Sequence, residues 1–107
     1  MNDQSSLVSN AFQTLMKEAP QHAAAWGAMV QGLTGASALE KKTAALAYLA
    51  VLAALRLESG IPFHVQSARQ LGATREEVIS AILVGLPAAG HVVTQVLPAA
   101  ITAYDAG

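Results

Sequence analysis

The chain has 107 residues, of which 53% are hydrophobic and 12% charged, and its formal net charge is −1. This length suits one domain with a single core, and six scattered basic residues argue against nucleic-acid binding, which needs a clustered basic face. The absence of cysteine excludes disulfides, thiolate nucleophiles and cysteine-ligated metal centres.

The distribution of apolar residues predicts self-association rather than a membrane span. The longest strictly apolar run, residues 44–55, has twelve residues, which is too short to cross a bilayer. Residues 78–104 carry no formal charge, but polar residues, glycines and prolines interrupt them. Because a small chain cannot bury this much apolar surface alone, we expect an obligate homo-oligomer. The polar, acidic N-terminus does not indicate a signal peptide, so we expect a cytoplasmic protein.

Apolar periodicity predicts an all-α fold of about six helices, with no alternating strand pattern and no repeat. The first helix is expected over residues 5–18, with Ser5 or Ser6 as its N-cap. The second is expected over residues 21–33. The third, over residues 39–58, is apolar on every face, which is typical of a helix buried all round, in a core or at a subunit interface.

The second half of the chain carries clear helix-boundary signals. A fourth helix is expected over residues 62–71, with Gly72 as its left-handed cap. The sequence Thr74-Arg-Glu-Glu77 is a capping box, which predicts the start of a fifth helix. The last helix is expected over residues 92–104, with a kink at Pro98.

Polar side chains concentrate in residues 56–77, between two nearly uncharged segments. This stretch holds one of the three histidines, His64, and three of the seven acidic residues. A polar connection between two apolar helical elements is a favoured place for a binding site. We therefore predict that the functional site lies near His64.

The order of elements and the sequence around His64 resemble the carboxymuconolactone decarboxylase and alkylhydroperoxidase D superfamily. The resemblance covers about residues 38–106. It rests on an alanine-rich helix ending in Leu55-Arg56, on His64, and on the sequence Gly72-Ala-Thr-Arg-Glu-Glu77 that begins eight residues later. It implies a single alkylhydroperoxidase D-like helical domain, over residues 1–107, that assembles into homo-trimers or hexamers. We predict no cofactor.

The peroxidase branch of this family has chemistry that the present sequence lacks. That branch has a Cys-x-x-Cys pair before its histidine and a proton-relaying glutamate on the preceding helix. Counted back from His64, the cysteines would fall at Leu57 and Gly60, and the glutamate near Ala45. A thiol peroxidase needs a thiolate to attack peroxide. We therefore predict no such activity, even where family inheritance would suggest the name of an alkylhydroperoxidase or a peroxiredoxin.

The decarboxylase branch is naturally free of cysteine, and its histidine lies in a similar His-Val-x-x-Ala sequence, found here from His64 to Ala68. By resemblance, this branch is a lyase that removes carbon dioxide from a small cyclic lactone acid. Such chemistry needs a cation for the carboxylate and a general acid or base. The resemblance suggests His64 as the acid or base, Glu58 as the residue that orients it, and Arg56 or Arg69 as the carboxylate anchor.

Two further residues are candidates for the same site. Phe63 is expected in core or interface packing, or as a wall of the pocket. His91 lies at a bend that the resemblance places opposite His64, so it is either a second binding residue or a histidine packed at a subunit interface. Together with Glu58, the two histidines would offer zinc or iron ligands. Their spacing is not a recognised metal motif, so we predict no metal.

Two hypotheses from different classes therefore remain. In the first, the chain binds or converts a small acidic or carbonyl compound near His64. In the second, it is a non-catalytic oligomeric scaffold that has lost the redox site of its family. The missing cysteines and Ala45 favour the second hypothesis.

Overall fold

The computed structural model describes residues 7–107, which form helices and turns and contain no strand. The prediction of an all-α fold is confirmed. Two 3₁₀ segments, Glu58–Gly60 and Gly90–Val96, precede α4 and α7. The α-helices are α1 (Asn10–Glu18), α2 (Pro20–Ala36), α3 (Lys41–Ala54), α4 (Ile61–Gln70), α5 (Arg75–Leu83), α6 (Leu86–Ala89) and α7 (Leu97–Ala106).

The hydrophobic core is built from the second half of the chain. Helix α4 packs against α7, and α3 packs against α5, α4 and the second 3₁₀ segment. Residues 41–106 are called the body below. The buried apolar residues all lie within it: Leu49, Leu52, Ala53, Ile61, Val65, Ala68, Ala73, Val78, Ile82, Val93, Val96, Ala100 and Ala103.

Helices α1 and α2 form a hairpin, called the arm below, that packs mainly on itself. The rings of Phe12 and Trp26 meet with their centroids 5.1 Å apart. The backbone N–H of Phe12 donates a hydrogen bond to the Ser9 hydroxyl, so Ser9 is the N-cap of α1. The predicted caps, Ser5 and Ser6, lie outside the described residues. Neither helix of the arm contains a buried residue.

Helix α3 ends in a left-handed turn at Arg56. The N–H of Leu57 donates to the Leu52 carbonyl at 2.9 Å, and the N–H of Arg56 donates to the Ala53 carbonyl at 3.2 Å. These two bonds are the Schellman pair, which usually places glycine in the left-handed position. Here that position holds Arg56, with φ 60°. The third helix therefore ends at Ala54, not at the predicted residue 58.

Helix α4 ends with the same pair of hydrogen bonds, but with glycine in the left-handed position. The N–H of Ala73 donates to the Ala68 carbonyl and the N–H of Gly72 donates to the Arg69 carbonyl, both at 3.0 Å. Gly72 has φ 97°. The prediction that Gly72 caps this helix is confirmed.

The predicted capping box at the start of α5 is also confirmed. The N–H of Glu77 donates to the Thr74 hydroxyl at 3.0 Å, and the N–H of Thr74 donates to the Glu77 carboxylate at 2.8 Å. Glu77 also forms an ion pair with Lys42 of α3, at 3.2 Å. The Thr74 N–H, and then Lys42, lower the pKa of the Glu77 carboxyl because both stabilise its charged form.

The apolar C-terminal region is divided into several short elements. By length and composition alone, Arg75–Ala106 could cross a membrane. However, it consists of α5, α6, a 3₁₀ segment and α7, and α5 packs against α7 within the body. Gly90, with φ 81°, separates α6 from the 3₁₀ segment. The region is therefore not one straight rod.

Pro98 does not kink the last helix. Residues Gly90–Val96 are 3₁₀, so α7 begins at Leu97 rather than at the predicted Val92. Pro98 lies in the first turn of α7, where a missing N–H breaks no intrahelical bond. The predicted kink is wrong because the proline starts the helix instead of interrupting it.

Removing the capping hydroxyl of Thr74 should destabilise the body. We expect Thr74→Ala to lower the free energy of unfolding by about 1 kcal/mol, because the N–H of Glu77 loses its acceptor. Chemical denaturation at fixed protein concentration measures this change. Ser80→Ala, at an exposed position of the same helix, is the matched control. An unchanged midpoint for Thr74→Ala would show that the cap contributes nothing.

Glycine should be favourable at Arg56, as it is at most helix ends that close with a left-handed residue. We expect Arg56→Gly to raise the free energy of unfolding by up to about 1 kcal/mol, because it removes a side chain from the left-handed region. Gly72→Ala should have the opposite sign. Gln70→Gly, at the exposed end of α4, controls for the entropy of an added glycine and should destabilise. A lower midpoint for Arg56→Gly would contradict backbone strain at this residue.

Candidate functional site

His64 lies in the first turn of α4, and its ring packs on Tyr48 of α3. The two ring centroids are 4.4 Å apart and the planes are tilted by 48°. Phe63 also contacts the imidazole edge-on, with the centroids 5.2 Å apart and the planes at 79°. The left-handed turn at Arg56 makes the contact with Tyr48 possible, because it reverses the chain and brings α4 back against α3. The imidazole thus contacts two aromatic rings.

The environment of His64 favours its neutral form. The side chain is half-buried, and burial lowers the pKa of His64 from its ordinary value of 6.5 because the charged ring loses hydration. Within residues 7–107, no group forms a hydrogen bond with the ring, and no buried side-chain nitrogen or oxygen lacks a partner. The ring nitrogens therefore reach solvent. A neutral imidazole with an accessible nitrogen can accept a proton from a ligand.

Glu58 does not orient His64 in this subunit, contrary to the expectation from the sequence. It opens the exposed 3₁₀ turn, and its carboxylate has no hydrogen bond or ion pair with any of residues 7–107. The physical reason is the early end of α3 at Ala54, which leaves Glu58 in the connection instead of on the helix. Tyr48 makes the contact with the imidazole that Glu58 was expected to make.

The two candidate carboxylate anchors lie in different places. Arg56 is exposed on the turn that leads to α4, and its guanidinium has no ion-pair partner among residues 7–107. Its charge is therefore available to a ligand or to a neighbouring subunit. Arg69 lies instead over the ring of Tyr104, 5.2 Å from its centroid, at the other end of α4. Of the two, Arg56 has the unpaired charge.

His91 and Glu58 do not join His64 in a metal site within one subunit. His91 is exposed in the 3₁₀ segment, where its backbone carbonyl accepts a hydrogen bond from the Thr94 hydroxyl at 2.8 Å. Across residues 7–107, no group of three or more histidine, aspartate or glutamate side chains is arranged to hold a metal ion. The subunit alone thus does not assemble the set of His64, His91 and Glu58.

Two of the grooves on the described body are lined without His64. One, of about 600 Å³, lies beside Arg69, Thr74 and Tyr104. The other, of about 590 Å³, lies between α3 and α5 and is lined mainly by apolar side chains, among them Leu46 and Val84. His64 lies outside both of these grooves.

The surface next to His64 is an apolar face of α3. Tyr48, Val51 and Leu55 share this face and are 44%, 52% and 62% exposed. The opposite face is buried through Leu49 and Ala53. The prediction that this helix is buried all round is therefore wrong for one subunit, because the body covers only half of its circumference. Burial of the other half at a subunit interface remains a prediction.

Sequence analysis missed two residues that define this region. Tyr48 stands among the alanines and leucines of α3 and was not distinguished from them, although it is the one aromatic side chain of that helix. Gln66 is buried, and its Nε2 donates a hydrogen bond to the Ala103 carbonyl. Its position, one residue past a buried valine in a short helix, gave no signal that its amide would be enclosed.

Comparison with known proteins identifies the family. The family model described as "Carboxymuconolactone decarboxylase family" matches residues 20–102. This match begins in α2, earlier than residue 38, where the resemblance was expected to start. No curated protein and no solved structure shows a significant match. Because the family model spans most of the 107 residues, the chain belongs to the carboxymuconolactone decarboxylase family.

Proposed function

We propose that this protein binds or decarboxylates a small acidic or carbonyl compound at the surface around His64, without thiol peroxidase chemistry. The observation that carries the proposal is the half-buried imidazole in contact with the rings of Tyr48 and Phe63, whose pKa is lowered by burial. Such a group is neutral at pH 7 and is a stronger acid than an ordinary imidazolium once it is protonated.

A decarboxylation at this site would divide the work between His64 and Arg56. The bond between the carboxylate carbon and the ring carbon breaks, carbon dioxide leaves, and the electron pair stays on the substrate as an enolate. A proton must then reach the enolate carbon, and His64 would relay it from solvent through its accessible nitrogen. Arg56 has the charge to hold a substrate carboxylate, because no acidic group within residues 7–107 neutralises it.

Assembly into a homo-trimer or hexamer is part of the same proposal. Eleven large apolar side chains are exposed in one described subunit, and three of them form the α3 face beside His64. A surface of this kind marks an interaction site more often than a solvated one. A neighbouring subunit that covers this face would enclose the open side of the imidazole.

A non-catalytic scaffold is the alternative function. It is supported by Glu58, which forms no hydrogen bond or ion pair with His64, and by the two grooves described above, neither of which is lined by the imidazole. In that case the α3 face serves assembly alone, and His64 is a packing residue. The two functions differ in whether the imidazole nitrogen is used.

The pKa of His64 should lie below 6.5 in the folded protein and should depend on the ring of Tyr48. Tyr48→Ala should raise it towards the ordinary value because the imidazole gains hydration, whereas Tyr48→Phe should keep it low. NMR titration of the histidine ring protons measures both.

The lowered pKa of His64 also makes the free energy of unfolding depend on pH. The unfolded chain binds this proton more readily, so the contribution of neutral His64 is present above about pH 6.5. It is lost as the pH falls from there through the lower folded pKa. A His64 that titrates above 6.5 would contradict the burial effect.

Replacing His64 should abolish ligand binding without disturbing assembly. Native mass spectrometry of untagged protein, compared with its denatured mass, would first show whether a small molecule copurifies. Carboxymuconolactone, the compound in the family name, is then added as a probe, and both bound ligand and released carbon dioxide are measured. We expect His64→Ala to lose the signal by at least about tenfold, and Gln70→Ala, on the same helix, to retain it.

Each outcome of this experiment separates the two functions. Loss of binding in His64→Ala, with an unchanged oligomer, supports the ligand site. Equal binding or turnover by His64→Ala would overturn it. An oligomer that copurifies with nothing and ignores the probe favours the scaffold.

A further inference from the structure

We infer that the arm of one copy docks lengthwise on the exposed α3 face of a second copy and so covers the open side of His64. This inference deepens the proposed function, because it rests on the homo-oligomer proposed above and names the two surfaces that would form it. The occupant of the α3 face is therefore a second copy of this chain, and the contacting element is α2.

Helix α2 has the composition of a buried helix, although none of its residues is buried in the described subunit. Its 17 residues include no acidic or basic side chain apart from His22, which is counted as neutral. Met29 and Leu33 lie on the same side of the helix as Trp26, and they are 52% and 63% exposed. A solvated surface helix normally carries charged residues on its outer face. Helix α2 has no such charged residue, so docking would remove no charge from water.

The glycine content of α2 also indicates that a second copy packs on this helix. Gly27, Gly32 and Gly35 lie in this helix, and a Cβ added at any of the three would meet no atom within 4 Å in the subunit. Glycine is the least favourable helix residue after proline, and no tertiary burial compensates for it here. Helices in proteins take most of their stability from packing. A second copy would supply that packing on the side of α2 that carries Trp26, Met29 and Leu33.

The receiving face on α3 matches α2 in chemistry and in length. Residues 43–55 carry no charge, and Tyr48, Val51 and Leu55 project from the exposed side. With 14 residues, α3 is roughly 21 Å long, and α2 with 17 is roughly 26 Å long. Two helices of these lengths can pack side by side with interdigitating side chains.

A second copy fits better than an unrelated partner, because the chain exposes both halves of the contact. Seven of the eleven exposed large apolar side chains lie on the arm or on α3: Met16, Trp26, Met29, Leu33, Tyr48, Val51 and Leu55. In a closed assembly each subunit donates one arm and receives one, so both faces are covered by a single type of contact.

Docking at this position would also complete the site. Tyr48 is both the ring that packs on His64 and a member of the receiving face. An arm seated over Tyr48 and Val51 would place side chains of the second copy beside the imidazole. The partner would thus contribute a wall that one subunit lacks.

Cysteine cross-linking tests this inference cleanly, because the natural chain has no cysteine. The variants Met29→Cys and Val51→Cys are co-expressed with C-terminal tags of different mass and treated with a short bismaleimide. We expect the main product to join Met29→Cys of one chain to Val51→Cys of another. Gln70→Cys, at an exposed position of α4, replaces Val51→Cys as the control and should give no such product.

A charge substitution gives a second readout. Met29→Glu should shift the protein to smaller species in native mass spectrometry. Gln31→Glu, exposed on the opposite side of α2, should not. Circular dichroism checks folding, and the body should stay helical in both variants because the arm contributes no residue to its core.

The outcomes separate this inference from the proposed function. Products joining Val51→Cys to itself would show that two α3 faces meet, and would overturn arm docking while leaving the oligomer intact. An oligomer in which Met29→Cys forms no cross-link would overturn it as well. The exposed face of α2 would then be expected to bind another protein or a membrane. A monomeric wild type would overturn both the inference and the proposed assembly. Ligand binding at His64 in any of these cases would leave the proposed site standing.

Discussion

The left-handed turn at Arg56 is the constraint on which the candidate site depends. Helix α3 has to stop and reverse so that α4 can pack against it, and the Schellman hydrogen bonds from Leu57 and Arg56 make that reversal. If α3 ran on to residue 58, the first turn of α4 would be carried away from Tyr48. The ring contact at His64 would then be lost, together with the burial that lowers its pKa. A strained residue at such a turn is a recurrent feature of functional sites.

The parts of the fold that the sequence predicted well are those governed by local chemistry. Gly72 and the Thr74 to Glu77 capping box lie where their hydrogen bonds require, because caps involve only residues a few positions apart. The end of α3 was placed too late, since Arg56 is not a residue that signals a left-handed turn. Pro98 was given the wrong role, because a 3₁₀ segment before it cannot be distinguished from helix by apolar periodicity alone.

Less of the site could be predicted, because it depends on long-range packing. His64 was found from the polar character of its surroundings and from the family resemblance. Its actual neighbour, Tyr48, comes from another helix and carries no pattern that links it to position 64. Glu58 seemed the natural partner because it is close in sequence, yet the early helix end turned it towards solvent. Helix α3 was read as uniformly buried because composition does not show which half of a helix its own chain covers.

The pairing of α4 with α7 has a consequence for how the chain is made. Helix α7 is the last element, and the buried amide of Gln66 donates to the carbonyl of Ala103 near its end. A ribosome releases the chain from its N-terminus, so α3 and α4 emerge before the element that completes their core. The face of α4 that packs on α7 stays uncovered until residues 97–106 have been synthesised. Synthesis thus passes through a stage in which α3, α4 and α5 can already pack together while the α7 side of the core is still exposed to solvent and to chaperones.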